Sequence, residues 1–92
     1  MMEYFIDYTE KAIKGLLRLR DSEPKAYAKA QKLIEELRLH PKTGTGKPEQ
    51  LKGDRAGQWS RRISNRHRMV YIINDTDVVV LILTTIGHYD DK

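Results

Sequence analysis

The chain contains no cysteine, a single tryptophan, a single phenylalanine and three prolines. Without cysteine there is no disulfide framework and no thiol nucleophile, so packing alone must hold the fold, and a reducing cytoplasm is the natural compartment. No apolar run approaches the roughly 20 residues that a membrane span requires. The opening residues, Met-Met-Glu-Tyr-Phe-Ile-Asp, lack the basic, apolar, small-residue order of a signal peptide. A cytosolic, unprocessed protein is therefore expected. A Gly-rich phosphate loop is also missing: residues 44–48 read Gly-Thr-Gly-Lys-Pro, with proline where a helix would have to begin presenting free N–H groups. His40, His67 and His88 are too scattered for metal-ligand spacing and no Asp/Glu motif accompanies them, so neither a metal nor another cofactor is expected. At 92 residues there is material for one modest core, and residues 1–92 are read as one domain.

What the chain does have is an uneven distribution of charge. Between Arg38 and Arg68 lie nine Lys/Arg and only two acids, Glu49 and Asp54, so this segment carries +7 while the remainder carries −3. A basic middle in an otherwise slightly acidic chain makes a local field suited to a polyanion, with nucleic acid as first candidate and an acidic protein as second. A well-solvated surface would explain the same charge.

Residues 3–7 form a short apolar run bounded by charge, long enough for an edge strand. From Thr9, the residues Ala12, Ile13, Leu16 and Leu17 recur at helical steps, and Asp21-Ser22 ends that helix. Ser22 then reads as the N-cap of a second helix with Pro24 in its first turn and an apolar stripe of Tyr27, Ala30, Leu33, Ile34 and Leu37, stopping near Leu39. Residues 41–48 are turn formers that cannot pack a core, and read as a loop running on to Glu49. Strand alternation follows over residues 58–64, with Trp59, Arg61 and Ile63 on one side and Ser60, Arg62 and Ser64 on the other; residues 68–73 and 78–86 are two further strands, the last apolar enough to be central. The order gives a two-layer α+β fold, β-α-α-β-β-β, with two N-terminal helices on one face of a small, mainly antiparallel sheet. Polar residues of the alternating strands, Ser60 and Arg62 among them, are then expected on the open face.

One combination in this sequence carries chemistry. RNA can be cut without a metal if a base takes the 2′-hydroxyl proton, cations stabilise the phosphorane-like transition state and an acid protonates the leaving 5′-oxygen. Glu49 is a lone acid among basic residues and suits the base; His88, beside Tyr89, is an imidazole that suits the acid; Arg61, Arg62 and Arg68 offer planar forks for phosphate and Lys52 a point charge. Each also has a plain structural reading, as a surface ion pair, a terminal residue or a solvated strand residue. Trp59 and Tyr71 read as core rather than base-stacking platforms, and His67 as structural.

Four blocks in order carry a resemblance: Gly46-Lys47-Pro48-Glu49-Gln50-Leu51-Lys52, Gly57-Gln58-Trp59-Ser60-Arg61-Arg62-Ile63, His67-Arg68-Met69-Val70-Tyr71, and His88-Tyr89. Together they resemble the YoeB/Txe branch of the RelE/ParE toxin superfamily, from about Gly44 to Tyr89. The resemblance implies a RelE-like fold and a ribosome-dependent endoribonuclease, an mRNA interferase of a type II toxin–antitoxin pair that cleaves mRNA in the ribosomal A site. It implies Glu49 as general base, Arg68 as transition-state stabiliser, His88 as general acid and Tyr89 as a residue shaping the site. Lys47, Lys52 and Arg62 would be the supporting RNA-binding cations, and Arg61, read from the strand arginines, is expected to join them. The implied partners are the ribosome and mRNA, a YefM-like antitoxin that blocks the site, and a second copy of the toxin, since such toxins can dimerise. Two features depart from the family pattern: Gln50 stands where proline commonly follows the glutamate, and Asp90-Asp91-Lys92 extend beyond the usual His-Tyr end. That tail is expected to be tolerated. Two rivals remain from other classes, a ParE-type binder of DNA gyrase and a plain RNA-binding module. The second gives no reason for a carboxylate inside a phosphate-binding patch.

Overall fold

The computed structural model describes residues 2–87. The elements run β1 (Phe5–Tyr8), α1 (Glu10–Ser22), α2 (Pro24–Leu37), β2 (Glu49–Gln50), β3 (Trp59–Arg62), β4 (Arg68–Asn74) and β5 (Val79–Thr84), with a short 3-10 turn at Gly53–Arg55. They form one sheet in the order β1-β5-β4-β3-β2. β1 pairs with β5 in parallel and every other pairing is antiparallel, which agrees with the expected α+β layout. A parallel pair needs a crossover, and α1 and α2 supply it. β5 is interior as expected, and β1 is an edge strand. The two-residue β2 was not legible: Glu49, read as a loop residue, begins this second edge strand.

The helices bury one face of the sheet. Ala12 and Leu19 of α1 and Ala26, Ala30, Leu33 and Leu37 of α2 pack with Ile63, Met69, Tyr71, Val80 and Ile82. Tyr71 is buried and Trp59 packs against the core, as their apolar strand positions required. The α2 stripe matches the reading. On α1 the buried stripe is rotated, because Ile13 and Leu17 are each 45% exposed while Ala12, Gly15 and Leu19 face inward. Thr9 explains the setting of α1: its Oγ1 accepts the Ala12 N–H and donates to the Leu83 carbonyl, which caps the helix and ties it to the end of β5.

The junction between the helices needs a correction. Ser22 is the last residue of α1 rather than the N-cap of α2; Glu23 takes that position, with no side-chain cap, and Pro24 follows at N1. The Glu23 carboxylate is committed elsewhere, to the ring of His67.

Candidate active site

Register decides which of the predicted residues can meet. Glu49 pairs with Ser60, Ser60 with Val70, and Arg62 with Arg68. Directly opposed residues of antiparallel strands point to the same side, and neighbours along a strand to opposite sides. Arg61, Met69 and Tyr71 point into the helix-covered core, so Glu49, Ser60, Arg62 and Arg68 share the other face. Glu49 and Arg68 are separated by two strand spacings across the sheet and one two-residue step along it, roughly 12 Å between backbones. Glutamate and arginine side chains can close on a single phosphodiester from that separation. Ser60, expected to be exposed there, is fully buried instead, and Val70 opposite it is 1% exposed, so the middle of this face is itself covered; the Ser60 Oγ has no hydrogen-bond partner among the described residues.

Glu49 is exposed and lies in an open cleft of 420 Å³ lined by Gln50, Leu51, Lys52 and Arg55. Lys47 and Lys52 are exposed on either side of it. The cleft thus sets one carboxylate between cations. Arg55 belongs to this group and was missed, because the 3-10 turn that folds it back toward Glu49 has no clear sequence signal; its guanidinium donates to Gln58.

The loop that delivers Glu49 is held from inside. Arg61 is fully buried, and its guanidinium uses all five N–H donors. Nε donates to the Tyr71 hydroxyl at 3.1 Å, Nη1 to Glu36 Oε1 at 3.0 Å and to the Thr45 carbonyl at 3.3 Å, and Nη2 to the carbonyls of Thr43, at 2.7 Å, and His40. The Tyr71 hydroxyl in turn donates a hydrogen bond to the Pro41 carbonyl at 2.8 Å. Glu36 also accepts from the Thr45 N–H and hydroxyl; the hydroxyl bond is the main reason its carboxyl lies below the usual glutamate range, with burial opposing and the Thr45 N–H and Arg61 assisting. Arg61 was expected among the RNA-binding residues, and this is corrected: a guanidinium with no exposed surface and every donor engaged has nothing to offer a phosphate. It is the post around which residues 41–48 are wound. Burial of Tyr71 pushes its phenol up, against the lowering effect of the Arg61 bond.

The last step of the loop is a close docking. The Arg62 N–H donates to the Gly46 carbonyl at 2.7 Å, and Gly46 has φ +85°, with a Cβ there 3.0 Å from the Arg62 carbonyl oxygen and 3.2 Å from Leu33. Only glycine fits this position. Lys47, Pro48 and Glu49 are thereby laid along β3.

His88 and Tyr89, expected as acid and site-shaping residue, lie outside the described residues, as does the Asp90-Asp91-Lys92 tail. The chain just before them is fixed. Gly87 accepts a hydrogen bond from the Arg68 N–H at 2.9 Å and donates its own N–H to His67 Nδ1 at 2.9 Å. Among the described residues no three His, Asp or Glu side chains gather in a way that would hold a metal ion, and no helix is long and apolar enough to cross a membrane.

A carboxylate and two arginines on the sheet face opposite the helices match the pattern of the described sequence blocks, and comparison with known proteins agrees. The model of the YoeB-like toxin of bacterial type II toxin–antitoxin systems matches residues 8–89. The chain belongs to this family. Toxin YoeB of Streptomyces coelicolor is 37% identical over 76 residues, covering 83% of this chain and 90% of that one. Among solved structures, a YoeB/ParE toxin from Agrobacterium tumefaciens superposes with a TM-score of 0.86 at 32% identity, covering 92% of this chain and 99% of that one. The toxin in a heterotetrameric YoeB–YefM toxin–antitoxin complex from Staphylococcus aureus superposes with a TM-score of 0.79 at 30% identity, covering 94% and 98%. The RelE-like fold read from the sequence is thus the fold of its YoeB relatives.

Proposed function

We propose that this YoeB-family chain, acting as one toxin domain over residues 1–92 in the cytoplasm, is a ribosome-dependent endoribonuclease that cleaves mRNA in the ribosomal A site and so inhibits translation. The observation that carries this reading is the convergence of Glu49, Arg62 and Arg68 on the sheet face opposite the helices, with Gly87 tied to Arg68 one residue before His88. Glu49 takes the proton from a 2′-hydroxyl, whose oxygen attacks the adjacent phosphorus. Arg68, with Arg62 beside it, stabilises the charge that builds on the phosphoryl oxygens. The P–O5′ bond breaks, leaving a 2′,3′-cyclic phosphate, and His88 protonates the departing 5′-oxygen while Tyr89 shapes the site. Base, cation and acid between them fill every role, so the step needs no metal. Lys47 and Lys52 hold the RNA backbone on either side of the base.

The S. aureus relative assembles with YefM, and this supports a YefM-like antitoxin as partner here, covering the basic face that RNA would otherwise occupy; the structure of a YoeB dimer from S. aureus supports a toxin that can pair with a second copy of itself. The test is primer-extension mapping of mRNA in reconstituted translation, with and without ribosomes. Codon-phased cuts that require ribosomes and fall at least about 100-fold in Glu49→Ala and His88→Ala are expected. A folded wild-type protein that cuts nothing would return the chain to the gyrase-binding alternative, and full activity in both variants would place the chemistry on other residues.

A further inference from the structure

The mechanism above leaves one buried imidazole unused. His67, on the turn between β3 and β4, is 7% exposed, and both ring nitrogens are engaged. Nδ1 faces the Gly87 N–H at 2.9 Å and Nε2 lies 2.8 Å from Glu23 Oε2. A backbone N–H can only donate, so Nδ1 carries the lone pair and the proton sits on Nε2, pointing at Glu23. The Glu23 carboxyl is held below its usual range, first by this hydrogen bond, against the cost of burial, and with help from the charges of Arg66 and Arg18. Glu23 thus fixes the tautomer that Gly87 requires. Gly87, at φ +78°, is held on its other side by the Arg68 N–H. The same ring therefore links the α1–α2 junction to the peptide leading into His88, and does so beside Arg68.

We propose that His67, oriented by Glu23, is a positioning residue for RNA cleavage: it fixes the Gly87 peptide against Arg68 and so sets where the His88-Tyr89 segment begins. This rests on the endoribonuclease reading. Two isosteric substitutions divide the ring's contacts between them. His67→Asn keeps an oxygen near the place of Nδ1 to accept from Gly87 and gives up Glu23. His67→Gln keeps an N–H donor near the place of Nε2 for Glu23 and gives up Gly87.

Single-turnover cleavage of ribosome-bound mRNA is measured for both, beside melting temperature and the Gly87 amide resonance in 15N spectra. His67→Gln is expected to lose about 100-fold in kcat, the effect of a reacting group misplaced by about an ångström, with KM little changed and the Gly87 amide shifted. His67→Asn is expected to recover at least about tenfold of that loss and to restore the amide resonance. Equal losses in the two variants, or losses that follow only their melting temperatures, overturn the proposal. So does a Gly87 amide indifferent to His67→Gln, a result that needs no enzymatic activity. Wild-type protein that cuts no mRNA while its Gly87 amide responds as expected identifies the nuclease reading as the part that failed, and the catalytic role of His67 falls with it.

Discussion

Residues 41–48, which deliver Glu49, are wound around a buried cation, whereas Gly87, which leads to His88, is held by one imidazole and one backbone N–H. Both segments consist of residues with little to bury, so neither can be anchored by hydrophobic contact. The loop meets this need with the five donors of Arg61, which gather the carbonyls of His40, Thr43 and Thr45 and a carboxylate into one desolvated cluster. Such a cluster is rigid when complete and costly when any member is lost, because the groups left behind have no water to turn to. The terminal anchor involves two hydrogen bonds at the sheet end, and losing one strands less. Disturbing the first anchor should therefore lower stability and activity together, and disturbing the second should lower activity with little effect on stability.

The largest effect is expected at Arg61. Removing one partner of a buried ion pair costs about 3–5 kcal/mol, and the lower end applies because the Glu36 side chain, 24% exposed, can be partly rehydrated. Arg61→Ala should lose about 3 kcal/mol, which lowers Tm by at least about 12 °C in a domain of this size. Arg61→Lys should recover little of it, since an ammonium has three donors and no planar fork to reach five acceptors. Thermal unfolding by circular dichroism checks both, and a melting temperature of Arg61→Ala within a few degrees of wild type would mean that the loop is held by something else.

Tyr71→Phe probes the same cluster more gently. The hydroxyl accepts from Arg61 and donates to Pro41, so its loss leaves a charged donor and a carbonyl unpaired in the core. About 2 kcal/mol is expected, read from the midpoint of urea unfolding with an unchanged slope. In an Arg61→Ala background the substitution should cost markedly less, because one of the two bonds has already gone. Additive costs would show that Tyr71 serves the loop independently of Arg61.

The two layers were legible in the sequence because hydrophobic spacing reports them directly: period 3.6 along α2, alternation along β3, a nearly apolar β5. Failures came where the decisive partner lies far along the chain. Arg61 shares a side of β3 with Trp59 and Ile63, so its inward direction could be read, but its acid, Glu36, is 25 residues away and is one of two adjacent carboxylates on a helix that offers no reason to choose it. Glu23 and His67 are 44 residues apart, and capping preference pointed to Ser22 because the demand of a buried ring does not appear in local pattern. The rotation of α1 was missed because Ile13 and Leu17 are as apolar as the residues that are buried. Within the site, Glu49, Arg62, Lys47 and Lys52 stand on the accessible surface expected of them, and the identity of Arg61 alone did not reveal whether its donors were free.

The smallest effect concerns pH. The carboxyl of Glu36 is lower in the folded protein than in the unfolded chain, through the Thr45 hydroxyl before all else. The unfolded chain therefore takes up this proton first as pH falls. The stability that Glu36 contributes is complete above the ordinary glutamate range and is lost as pH descends through that range to the lower folded value. Glu23 and Asp75 are shifted in the same direction, Glu23 chiefly by His67 and Asp75 chiefly by Tyr4, so some acid sensitivity will survive any single substitution. Glu36→Gln keeps an acceptor for Thr45 and Arg61 but cannot titrate. Its melting temperature should fall less steeply than that of wild type between neutrality and mild acid, the two curves drawing together at the acid end. Parallel curves would show that the loop anchor does not depend on the charge of Glu36, leaving Arg61 held by neutral oxygens alone, and the contrast between a charged anchor for the loop before Glu49 and a light one at Gly87 would then lose its electrostatic half.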